Sequence, residues 1–76
     1  MKLSEAIVLG KEGEWTDVHV RTNPADRQQW YITLRDKQNK SFILAGNDDI
    51  PIAMEDMHAL AQIIQSIGVN EFTVIL

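Results

Sequence analysis

Two groups of residues have the types and spacing that chemistry requires. Glu55 and His58 form a Glu-x-x-His arrangement, which on a helix lets a carboxylate and an imidazole reach one metal ion, as in carboxylate-bridged di-iron bundles. Such a centre draws further carboxylates from neighbouring helices, and only one segment here has strong helical periodicity, so His58 is expected to face solvent. Asp48 and Asp49, followed by Glu55 and Asp56, gather oxygen ligands of the kind that hold a hard cation such as Mg²⁺. Their spacing matches no EF-hand loop. Acids also collect where a loop enters a helix, because they cap free amides and meet the positive end of the helix dipole. Capping is therefore the preferred account of these carboxylates.

Nucleophilic catalysis requires a Ser or Cys beside a base and an orienting third group, yet Ser4, Ser41 and Ser66 lie in no elbow or glycine-rich context. The 4 glycines form neither a phosphate-cradling loop nor a dinucleotide fingerprint. A chain of 76 residues also has little volume for the concave pocket that small-molecule chemistry occupies. The sequence reads as a non-enzyme with no cofactor, no metal ligand set and no evident small-molecule substrate.

Composition narrows the class further. The length fits one domain, residues 1–76, near the lower limit of independent folding, and a hydrophobic content of 45% argues against disorder. With no cysteine there is no disulfide, and two isolated histidines make a poor structural zinc site, which leaves oligomerisation as the available reinforcement. Lack of cysteine, an opening Met1-Lys2-Leu3-Ser4-Glu5 without an export signal, and no apolar run of spanning length give the expectation of a cytoplasmic protein with no membrane contact. The net charge of −4 is unevenly spread. Arg21, Arg27, Arg35, Lys37 and Lys40 outnumber Asp26 and Asp36 by 3 over residues 21–40, whereas residues 41–76 hold five acids and no Lys or Arg.

The elements that must carry these residues follow from periodicity. Ala53, Met57, Leu60, Ala61, Ile64 and Ile67 fall on one face of a helix spanning about 53–67, with Gly68 placed to take the left-handed conformation and Val69 to pack back on Ile64 in a Schellman cap. Trp30, Ile32 and Leu34 alternate, as do Phe42 and Leu44. A loop at Lys37-Gln38-Asn39, with Asn39 left-handed, pairs Leu34 with Phe42 and Ile32 with Leu44, and sets Trp30 opposite Gly46. Earlier, residues 16–22 place Val18 and Val20 on one face and Asp17, His19 and Arg21 on the other. The last strand, residues 71–76, turns Phe72, Val74 and Leu76 inward. For residues 4–9 the run Ala6-Ile7-Val8-Leu9 favours a strand, although Ser4 as N-cap, the Leu3/Ile7 spacing and Gly10 as a stop fit a short helix.

The expected fold is α+β: two layers, with an antiparallel-rich sheet of four to five strands and one main helix on one face. The core is then Val18, Val20, Trp30, Ile32, Leu34, Phe42, Leu44, Phe72, Val74 and Leu76 against the helix stripe. The opposite face has no cover, and alternation assigns to it Trp15, His19, Arg21, Tyr31, Thr33, Arg35, Ile43 and Ile75. Clustered aromatic and aliphatic groups on an open face mark an interaction surface. The leading expectation is a protein interaction domain, acting as a homodimer or as an adaptor or inhibitor of another protein, because aromatic residues and Arg dominate interface hot spots. The alternative is a nucleic-acid-binding regulator in which Tyr31, Trp15 or His19 stack bases while Arg21, Arg35, Lys37 and Lys40 hold phosphates. The net acidity opposes it.

Overall fold

The computed structural model describes all 76 residues and shows an α+β fold in the order α1 (Leu3–Lys11), β1 (Trp15–Asn23), β2 (Asp26–Asp36), β3 (Ser41–Ile43), β4 (Ala53–Met54), α2 (Met57–Ser66) and β5 (Thr73–Ile75). The sheet runs β3-β2-β1-β5, and β4 pairs with β2 on the same flank as β3. Every pairing is antiparallel except β1 with β5. No helix is long and apolar enough to cross a membrane.

Local chemistry accounts for the hairpin joining β2 to β3. Asn39 has φ 68°, the Asp36 carboxylate accepts from the amides of Gln38 and Lys40, and Leu34 pairs with Phe42. The Leu44 amide donates to the Ile32 carbonyl, which carries the expected register one residue pair beyond β3. At the end of α2 the amides of Gly68 and Val69 donate to Gln65 and Ile64, as a Schellman cap requires, with Gly68 at φ 84°.

Residues 4–9 belong to a helix, not a strand. The amides that open α1 find acceptors far along the chain: Leu3 donates to the Ala45 carbonyl and Ser4 to the Asn47 side chain. Lys2, not Ser4, is the N-cap, and α1 runs through Gly10 rather than stopping there. Gly10 serves close packing instead, since a Cβ at this position would lie 1.8 Å from the Ile67 carbonyl oxygen. Only glycine lets α1 come this near the end of α2.

The main helix begins later than residue 53. Asp56 caps it, accepting from the amides of His58 and Ala59, while Ala53 and Met54 are drawn into the sheet opposite Tyr31 and Trp30. Trp30 thus lies beside Met54, not Gly46.

One cluster of buried residues joins both helices to one face of the sheet: Ala6 from α1; Leu60, Ile64 and Ile67 from α2 and its end; and Val18, Val20, Ile32, Leu34 and Leu44 from the sheet. Burying each large aliphatic side chain contributes about 1.5–3 kcal/mol, so this cluster supplies most of the driving force. Trp30 and Phe72 pack at its margin. Val74 and Leu76 lie outside it, 41% and 94% exposed, because β5 is the edge and no helix extends over it.

Candidate interaction surface

Both helices contribute to the cluster on one face, so the alternate residues of the same strands form a face that no element covers. The pairing arranges them in three rows. Asp17, Arg35 and Ser41 make the first; Thr73, His19, Thr33 and Ile43 the second; Ile75, Arg21, Tyr31 and Ala53 the third. Successive rows lie about 6.8 Å apart, twice the rise per strand residue. His19, Arg21, Tyr31, Arg35, Ile43 and Ile75 therefore share one surface, as alternation predicted. The one ionic contact on this face is Arg35 to Asp17 at 3.8 Å, with both side chains about half exposed.

Trp15 is the exception and faces the helices. Between Trp15 and Asp17 the register with β2 shifts, making Thr16 an extra residue whose hydroxyl donates to the carbonyls of Arg35 and Asp36. The bulge reverses the alternation before it and turns the indole inward. There its Nε1 donates to the Ala6 carbonyl at 3.0 Å, and its ring meets Phe42 edge-on at a centroid distance of 6.1 Å. A polar Thr16 at a position that regular alternation points inward is the sequence mark of this change.

Two shallow hollows open on the face. A polar one of about 110 Å³ lies among Asp17, His19, Arg21, Thr33, Arg35 and Ser41. The larger, about 320 Å³, is lined by Asn23, Pro24, Tyr31, Ile43, Pro51 and Ala53. It brings together the only tyrosine and both prolines of the chain. Tyr31 projects from the middle of β2, Pro24 comes from the turn between β1 and β2, and Pro51 from the loop leading to β4. Alternation found Tyr31 and Ile43. It missed Pro24, Pro51 and Ala53, whose positions depend on how the loops fold back over the sheet.

Two of the four clustered acids, Asp48 and Asp56, accept from backbone amides. The Asp48 carboxylate accepts from the Ile50 amide, and that of Asp56 accepts from two amides of α2. Glu55 precedes the N-cap, so Glu55 and His58 do not share a helical turn; His58 lies beside Gln62 on the exposed side of α2.

Comparison with models of known protein families, with curated proteins and with solved structures finds no match to this chain.

Proposed function

We propose that this is a non-catalytic interaction domain that binds another protein through the uncovered sheet face, with the hollow around Tyr31 as the anchor site. The observation that carries this reading is the convergence of Tyr31, Pro24, Pro51, Ile43 and Ala53 on one open, apolar depression of about 320 Å³. Its size is at the bottom of the range for ligand pockets, and it is open to solvent, which suits one or two apolar side chains of a partner better than an enclosed metabolite. Two prolines have fixed φ and little freedom to lose, so the walls are preorganised and binding costs little ordering entropy. Arg21 and His19 beside the hollow supply a polar rim of the kind that surrounds a hot spot.

The nucleic-acid reading uses the same face but finds fewer free cations there, since Asp17 stands against Arg35 and the chain carries a net charge of −4. The two readings separate in one experiment. Isotope-labelled protein is titrated with a pool of short peptides bearing paired apolar residues, and separately with random single-stranded oligonucleotides, while amide shifts are followed. Peptides are expected to move the signals of Tyr31, Ile43 and Ala53, and Tyr31→Ala to abolish the response while leaving the protein folded. Oligonucleotide binding that falls steeply with salt and weakens in Arg35→Ala would replace this reading with a phosphate-led one.

A further inference from the structure

The two flanks of the sheet are finished in different ways. On one flank β3 and β4 lie end to end along β2 and are only three and two residues long. Between them Ala45 bridges to Lys2 on one side and Pro51 on the other, and the backbones of Met1 and Leu3 occupy its amide and carbonyl. Short strands, a proline and a covering segment are the devices that keep an edge from pairing with another chain. The other flank is β5 alone, which is also three residues long but has neither a proline nor a covering segment. Phe72-Thr73-Val74-Ile75-Leu76 contains no charged side chain and no proline; Val74 is 41% exposed and Leu76 almost fully exposed.

We infer that the β5 edge joins a second copy of this chain, with the two β5 strands antiparallel about a two-fold axis centred on Val74. Pleat decides the register. Residues directly opposite each other must point to the same face, so the numbers of paired residues must add to an even value. Centring on Val74 meets this condition and pairs the whole segment. Val74 meets its own copy and Phe72 meets Leu76 of the second copy, all on the helix side, while Thr73 meets Ile75 on the outer side. The exposed aliphatic groups of one copy are covered by those of the other.

Charge favours the same arrangement. Asp17 and Glu71 line one small depression at the start of β5, and Arg21 pairs with Ile75 at its end. Antiparallel pairing brings the acidic start of one copy toward the Arg21 end of the other, twice per dimer. From ordinary strand spacing, the Cα atoms of Arg21 and the opposing Glu71 lie about 12 Å apart, within reach of the two side chains. The seam is short and falls below the area of a stable interface, so the dimer is weak and depends on concentration and salt.

The axis stands perpendicular to the sheet, so both outer faces stay on the same side of one continuous sheet. The two Tyr31 hollows remain open and side by side. The seam itself uses no residue of those hollows.

Mass by sedimentation or light scattering tests the inference over a dilution series from about 1 mM, where weak pairing is populated, down to about 1 µM. The expected result is a mass rising from 8.6 kDa to twice that value and no further. Val74→Lys sets two ammonium groups face to face and should weaken association about fivefold, while Tyr31→Ala leaves it unchanged. The chain lacks cysteine, so single introduced thiols report the register. Val74→Cys should be joined to its copy by a short thiol crosslinker. Leu76→Cys, roughly 13–14 Å from its copy in this register, should not. A monomer throughout, open-ended growth, a dimer that survives Val74→Lys, or equal crosslinking at both positions would overturn the inference. A dimer broken by Tyr31→Ala alone would place the contact on the outer face and remove that face from the reading above.

Discussion

Val18, Val20, Ile32 and Leu34 alternate along two strands with Asp17, His19, Arg21, Tyr31, Thr33 and Arg35, and the two sets meet opposite conditions. The first set is buried under two helices; the second lies on a face that no helix covers. One side is built from aliphatic groups that interlock and lose water. The other carries hydroxyl, imidazole and guanidinium groups around one aromatic ring. A two-layer fold of this size thus separates the work of holding together from the surface left free, and the separation is set by a two-residue period.

Substitutions on either side can break that contrast. The largest effect is expected for Ile64→Ala, which empties space at the centre of the cluster and should cost about 2–5 kcal/mol in denaturant unfolding. A loss under about 0.5 kcal/mol would mean that α2 is not the cover of the inner face. Trp15→Phe comes next, because it keeps a ring but removes the Nε1 donor to the Ala6 carbonyl, and a cost of about 0.5–1.5 kcal/mol is expected. If Trp15→Phe left unfolding unchanged and quenching showed an indole open to solvent, Trp15 would return to the outer face. The smallest effect belongs to Asp17→Asn, which removes an exposed ionic contact worth about 0.5 kcal/mol or less and fading with salt. A cost of several kcal/mol there would show that the outer face also carries the fold.

What could be read from the sequence was what neighbouring residues decide among themselves. The stripe and cap of α2 and the Asn39 turn with its Leu34–Phe42 register are of this kind, and so is the sharing of one face by His19, Arg21, Tyr31, Arg35, Ile43 and Ile75. What escaped reading depends on distant partners. Residues 3–11 are helical because Ala45 and Asn47 receive their first amides and because Ala6 and Gly10 let the helix approach its neighbours. Ala53 fits the helical stripe of α2 by spacing, yet the flank of β2 takes it, with Met54, as a strand. A single bulge moved Trp15 across the sheet. The walls of the Tyr31 hollow come from loops whose return over the sheet no periodicity encodes.

The parallel pairing of β5 with β1 also sets an order of events in folding. β1, β2 and β3 are joined by tight turns, so their contacts close short loops, whereas His19 and Thr73 meet across 54 positions of chain. Loop closure makes such a pairing a late step on the way in and an early one on the way out. With only three residues in the ladder and no strand on its other side, β5 is also weakly protected against local opening. The strand of the inferred seam is therefore one that would gain from being paired on its second side. Under the inferred pairing, amide exchange along β5 should slow as protein concentration rises, while the rest of the sheet keeps its own time.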